Sequence, residues 1–182
     1  TNLAIDGGDW VGDASYDLKA KSYWFKDQKD ITAGYMITEP YKDVDTGSMV
    51  LTISAPVYDR SGSKIVGVAA VDIQISVVNN MVTMAQSTYE TGYQVLLSSQ
   101  GTVLAHKDET KVLLPVSEIG YSENMLQNIT APENKVMKFD DNQTASYGVV
   151  QEEEYTGWKV ISIIPEKEYT QVVNSTKNSV IL

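Results

Sequence analysis

Between Tyr16 and Ile73 the chain sets aromatic side chains, a lysine and a late aspartate at intervals that a core alone does not need. The stretch reads YDLKAKSYWFKDQKDITAGYMITEPYKDVDTGSMVLTISAPVYDRSGSKIVGVAAVDI. Spread over a helix-like opening and two alternating strands, this mixture suits a small pocket gripping a polar ligand. Each residue also has a plainer use. An aspartate at a strand end with a helix close behind it can serve as a helix N-cap. Tyr23, Trp24 and Phe25 are consecutive, so on a helix they point in different directions and at least one is expected in the core.

The chemistry of turnover is missing. There is one histidine, His106, no cysteine, and neither a GxSxG nor a GxxxxGK pattern. Asp43-x-Asp45-x-Gly47 lacks the further oxygen ligands and the closing glutamate of a calcium loop, and reads as a polar turn. Glu152 to Glu154 reads as a solvated run. His106 ends a strand and cannot form a metal cluster alone. We therefore expect no enzyme: no catalytic residue, no metal site and no cofactor.

Composition narrows the partners. The chain has 182 residues, 42% apolar and 21% charged, which is ordinary for a globular protein with a proper core. Its net charge is −10 and its pI is near 4.5. Nucleic acid is excluded as an expected partner, because phosphate binding needs a basic face, and anionic membrane surfaces are disfavoured for the same reason. No run approaches the roughly 20 apolar residues that cross a bilayer, and Thr1 opens no signal peptide. If the chain is part of a receptor, its membrane spans lie outside it.

Strand signals dominate the elements that would position a site. Met49 to Tyr58 alternates apolar and polar residues up to Pro56, and Ile65 to Ile73 is a nearly continuous small-apolar run. The turn-rich Asp59 to Lys64 joins them as an antiparallel hairpin. Ser76 to Glu90 switches to helical spacing, with Val77, Met81 and Met84 on one stripe and Val78, Val82 and Ala85 on another; Gly92 reads as its end. Tyr93 to Ser98 and Thr102 to His106 form a second hairpin, Ala145 to Val150 and Trp158 to Ile164 a third, and Pro165 opens a closing helix. Residues 107 to 143 read as loop with one short helix near Glu123 to Gln127. Each half thus has a strand, a turn, a second apolar strand and a closing helix, which suggests two similar lobes in series.

Several spaced features together resemble the double Cache (dCache) sensor domains of bacterial chemoreceptors and sensor histidine kinases. They are Thr38-Glu39-Pro40-Tyr41, Asp45-Thr46-Gly47 with the strand TISAPVYD, Gly67 to Ile73, Gly92-Tyr93 to His106, and Thr156-Gly157-Trp158 to Pro165. The resemblance implies an α+β fold of two PAS-like lobes in series, antiparallel sheets flanked by helices. Residues 1–91 would form a membrane-distal ligand-binding lobe with a connecting helix, 92–165 a membrane-proximal lobe, and 166–182 a helix leading toward the membrane. Family members carry a long N-terminal helix and a strand or two before the segment matched by Asn2 to Trp10; that helix is missing from the sequence given.

The resemblance also implies a site. Amino-acid-binding members hold the ligand ammonium with an aspartate, here Asp72, and the carboxylate with an arginine and neighbouring aromatics. Tyr16 and Tyr41 take the two tyrosine positions. The arginine position falls on Lys21 if the motif is read as Tyr16, Lys21, Tyr23 and Trp24. Shifted by one, Trp24 and Phe25 become the aromatic pair and Ser22 takes the arginine's place. Either way the two-pronged guanidinium is absent, so an amine held by Asp72 and the rings is weighed beside an amino acid.

The expected function is an extracytoplasmic ligand-binding domain of a transmembrane chemoreceptor or histidine kinase, on the outer side of a bacterial membrane. Its ligand would be a small polar molecule, an amino acid or amine. The alternatives are an uncharged ring such as a nucleobase in the same pocket, or a structural or adhesive domain without a small ligand. Membrane attachment would run through segments outside this chain, and a homodimer is left open.

Overall fold

The computed structural model describes residues 11–12, 15–25, 28–85 and 89–180; the segment Asn2 to Trp10 lies outside them. The chain divides into two compact units, 1–75 and 76–182.

In the first unit, after a single 3-10 turn at Leu18–Ala20 and a short helix α1 (Gln28–Ala33), the chain builds an antiparallel sheet around one long strand. That strand, β3 (Met49–Tyr58), pairs on one side with β1 (Met36–Ile37) and β2 (Tyr41–Lys42) and on the other with β4 (Ile65–Gln74). Pro40 has no N–H to give the ladder, so β1 and β2 are separate. Thr38 bridges the break: its N–H donates to the Thr52 carbonyl at 3.0 Å and its hydroxyl accepts the Thr52 N–H at 2.9 Å.

The period of two sorts β3. Val50, Thr52 and Ser54 turn to one face and are buried, whereas on the other face Leu51 is buried and Ile53, Ala55 and Val57 are exposed. The register sets Val50 opposite Tyr41 on one side and Thr52 opposite Asp72 on the other. A shift in pairing between Val57 and Tyr58 adds an irregularity beside the turn. β4 runs without a loop into α2 (Ile75–Thr83).

The second unit holds a five-stranded sheet in the order β6-β5-β9-β8-β7. Its strands are β5 (Tyr93–Leu97), β6 (Val103–Ala105), β7 (Met137–Asp141), β8 (Thr144–Glu152) and β9 (Lys159–Pro165). Its other helices are α3 (Glu123–Thr130) and α4 (Glu166–Val180). Val95, Leu97, Val103, Val150, Ile161 and Ile163 meet Ile119, Tyr121, Met125, Ile129 and Phe139 in one buried core. Each such aliphatic side chain contributes about 1.5–3 kcal/mol. Gly148 lies where a Cβ would stand 2.8 Å from Met125 Cε and 2.9 Å from Phe139 Cε1, so the core closes over bare backbone. Two turns share one construction. Asp43 and Glu153 each accept the N–H and hydroxyl of a threonine three residues on, ahead of a glycine at φ 71° or 68°.

Two expectations are corrected. β7 lies inside a segment read as loop; it has five residues, and its partner β8 follows a two-residue turn, Asn142-Gln143, with φ of 47° and 67°. Helix α2 stops at Thr83, well short of Glu90, so Gly92 does not cap it. The Thr83 hydroxyl bonds back to the Asn79 carbonyl at 2.8 Å, a competition with the helical ladder that suits a helix end. Glu152 to Glu154 are exposed, as a solvated run would be, and Glu153 in addition accepts the hydrogen bonds of its turn.

Of the two stripes on α2, Val78 is buried while Val77, Met81 and Met84 are exposed. α2 is joined to the second sheet by Asn79, whose side-chain oxygen accepts the His106 N–H at 2.9 Å.

Candidate functional site

On one face of the first sheet, side chains from four stretches of sequence meet. Thr52, fully buried in the middle of β3, donates its hydroxyl to Asp72 Oδ1 at 2.6 Å. The Tyr41 hydroxyl lies 2.6 Å from the Thr52 hydroxyl and 3.5 Å from Asp72 Oδ1. Tyr41 stands beside Tyr23, ring centroids 6.4 Å apart and tilted by 42°. The Tyr23 hydroxyl in turn hydrogen-bonds the Tyr16 hydroxyl, and Lys21 Nζ sits 4.1 Å over the Tyr16 ring. Ser54 Oγ, two residues from Thr52 and on the same face, donates to the Tyr23 carbonyl at 2.9 Å and ties the aromatic segment to the sheet.

Asp72 thus stands at one end of this group and Lys21 at the other, with two hydroxyl pairs between them that meet through the Tyr23 and Tyr41 rings. Oδ2 of Asp72 takes no hydrogen bond from any described residue, and no carboxylate among the described residues pairs with Lys21. Asp72 is exposed, and its bonds run to Thr52 and Tyr41 rather than to the amides that open α2. Burial pushes the Tyr23 hydroxyl far above the usual phenol range, and the hydrogen bond and charge of Tyr16 push the same way. Burial also raises Tyr41; its bond with Thr52 partly offsets this and the nearby Asp72 charge adds to it. Both phenols stay protonated at neutral pH.

Five of the six residues singled out from the sequence, Tyr16, Lys21, Tyr23, Tyr41 and Asp72, are therefore linked. The Trp24 ring is not among them: it lies 6.0 Å from Lys19 Nζ, and Trp24 meets the group through its backbone N–H, which donates to the Lys21 carbonyl at 3.2 Å. Phe25 is 5% exposed and belongs to the core, the plain core member anticipated among the three consecutive rings. Thr52, Ser54 and Thr38 went unrecognised. The signal for Thr52 and Ser54 was two polar residues at period two in an apolar setting on one strand; Thr38, between β1 and β2, carried none.

In the second unit His106 is also buried. Its Nδ1 accepts the Asp108 N–H at 2.8 Å, which leaves the proton on Nε2, and its ring meets Tyr93 edge-on at 5.5 Å. Burial, with the Lys111 charge adding, lowers its pKa below the ordinary histidine value, against opposing pulls from Asp141 and Asp108. Among the described residues no cluster of histidine and acid side chains could hold a metal ion.

Each of the two units is built on an antiparallel sheet, and the first sets an acid beside a row of phenols. The chain belongs to the dCache family: the family model, described as a Cache domain, matches residues 3–173. The methyl-accepting chemotaxis protein McpC of Bacillus subtilis is 32% identical over 137 residues, 75% of this chain and 19% of that receptor. PscA of Pseudomonas syringae pv. tomato is 32% identical over 105 residues, 58% of this chain and 16% of the receptor. The chain spans less than a fifth of the length of these relatives.

Among solved structures, the extracellular domain of the histidine kinase mmHK1S-Z3 superposes with a TM-score of 0.70 at 18% identity, over 93% of this chain and 62% of that one. The ligand-binding domain of the Pseudomonas aeruginosa amino acid chemoreceptor PctB, solved with L-Arg, gives 0.65 at 21% identity, over 86% and 64%. At these identities the likeness establishes the fold.

Proposed function

We propose that the chain is the extracytoplasmic sensing part of a bacterial membrane receptor and that its first unit binds a small molecule carrying an ammonium group, an amino acid or an amine. One observation carries this reading: an exposed carboxylate and an ammonium, joined by a row of phenols, each without a partner of opposite charge among the described residues. Two unpaired charges of opposite sign at either end of the row of phenols are the two partners a zwitterion needs, and each charge-assisted hydrogen bond contributes about 1.5–3 kcal/mol. The amino acid complexes of PctB and of Mlp24, solved with asparagine, support the same ligand class.

Lys21 resting on the Tyr16 ring leaves room for the second reading, an amine held by Asp72 and the rings through ion pairing and cation–π contact. In this account the first unit is membrane-distal, the second membrane-proximal, and α4 leads toward a membrane span. Ligand closing on Asp72 shifts β4, which continues directly into α2, and α2 is tied to the second sheet through Asn79. Only a difference in affinity between the two states can drive such a shift.

The test is a thermal-shift and calorimetric screen of the 20 common L-amino acids, simple amines, small carboxylates and nucleobases. A ligand at 100 times its Kd stabilises the fold by about 2.7 kcal/mol. Saturable binding of an ammonium-bearing compound supports the proposal. Binding of nucleobases alone, or of nothing, contradicts it.

A further inference from the structure

We infer that Thr52 is a positioning residue that fixes the direction of every proton at the Asp72 end of the site and so makes that end selective for ammonium donors. The inference rests on the proposed ligand class and adds a residue and a mechanism to it. An ionised carboxylate only accepts, so the single Thr52 hydroxyl proton points at Asp72 Oδ1, 2.6 Å away. Thr52 then meets Tyr41, also at 2.6 Å, with a lone pair, and the Tyr41 proton is spent on Thr52. The longer 3.5 Å approach of Tyr41 to Asp72 cannot compete for that proton.

The surface left for a ligand is then made of acceptors only: Asp72 Oδ2, the spare lone pair of Oδ1, and the Tyr41 oxygen. An ammonium with three N–H groups satisfies it, whereas a carboxylate or a carbonyl oxygen meets no donor there. Thr52 can hold this arrangement because its own position is over-determined. It is 0% exposed, its N–H and carbonyl are both bonded to Thr38, and the β3–β4 register places it opposite Asp72.

The experiment has two arms. In the ligand-free domain, unfolding is measured for Thr52→Val, Asp72→Asn and the double variant. Thr52→Val is expected to raise the unfolding equilibrium constant about 10-fold alone and about 3-fold when Asp72→Asn is already present and only a neutral hydrogen bond is left to lose, the mark of one shared charged hydrogen bond. Equal effects in both backgrounds overturn the inference.

In the second arm, the tightest-binding L-amino acid of the panel is titrated beside its deaminated carboxylic acid. Thr52→Val is expected to weaken the amino acid about 10-fold or more while leaving the deaminated acid within about 2-fold, and Thr52→Ser restores binding. Wild-type affinity in Thr52→Val, or an equal loss for both compounds, overturns the role of Thr52 and leaves the ligand class standing. A wild-type domain that binds no ammonium-bearing probe overturns the ligand class, and the selectivity assigned to Thr52 with it.

Discussion

Replacing Asp72 by asparagine removes one charge and keeps the shape. The amide oxygen of asparagine still accepts the Thr52 hydroxyl, so the hydrogen bond now 2.6 Å long survives in weaker, neutral form. Two unit charges 4 Å apart attract by about 1 kcal/mol in bulk water and about 4 kcal/mol near a protein surface. Asp72 is exposed, which puts the lost attraction toward the lower part of that range. Taken as one charge-assisted hydrogen bond, about 1.5–3 kcal/mol, the loss is about 10- to 150-fold in affinity for an ammonium-bearing ligand. Stability should fall by about 1 kcal/mol, the difference between a charged hydrogen bond and the neutral one that replaces it. Isothermal titration with the best ligand of the panel reads the first quantity and urea unfolding the second. Wild-type affinity in a folded Asp72→Asn domain refutes the reasoning.

Three further outcomes are expected. Lys21→Met keeps the stem on the Tyr16 ring and deletes the charge; amino acids should bind about 10-fold more weakly while simple amines bind as before, so titrating both classes tells which kind of ligand the site takes. Because the folded chain resists protonation of His106 more than the unfolded chain does, stability is full above about pH 6.5 and falls as pH drops below it. Urea midpoints from pH 7.5 to 5 should decline, and in His106→Gln the decline over that window should flatten. Gly148→Ala pushes a methyl to within 3 Å of Met125 and Phe139; the unfolding free energy should drop by about 1–3 kcal/mol, with ligand affinity unchanged.

What could be read from residues alone followed from periodicity. The hairpin of β3 and β4 announced itself through alternation, a small-apolar run and a turn-rich connector, and it was found at Met49–Tyr58 and Ile65–Gln74. β7 escaped because its MKFDD is short and ends in two acids, although the Asn142-Gln143 turn behind it was a hairpin signal. The Tyr16–Lys21–Tyr23 cluster was legible only through family resemblance. It forms on an irregular stretch around a single 3-10 turn, where neither helical nor strand spacing tells which of Tyr23, Trp24 and Phe25 turns inward. Thr52 was missed because its meeting with Asp72 depends on the register of the hairpin, and the irregularity at Val57/Tyr58 shifts any count made from the turn.

The most direct measurement is a crystal structure of the domain grown with a bound amino acid. The account places the ligand nitrogen about 2.7–2.9 Å from Asp72 Oδ2, with the carboxylate toward Lys21 and the Tyr16–Tyr23 pair. A ligand carboxylate seated against Asp72, or a ligand bound elsewhere in the chain, would contradict it.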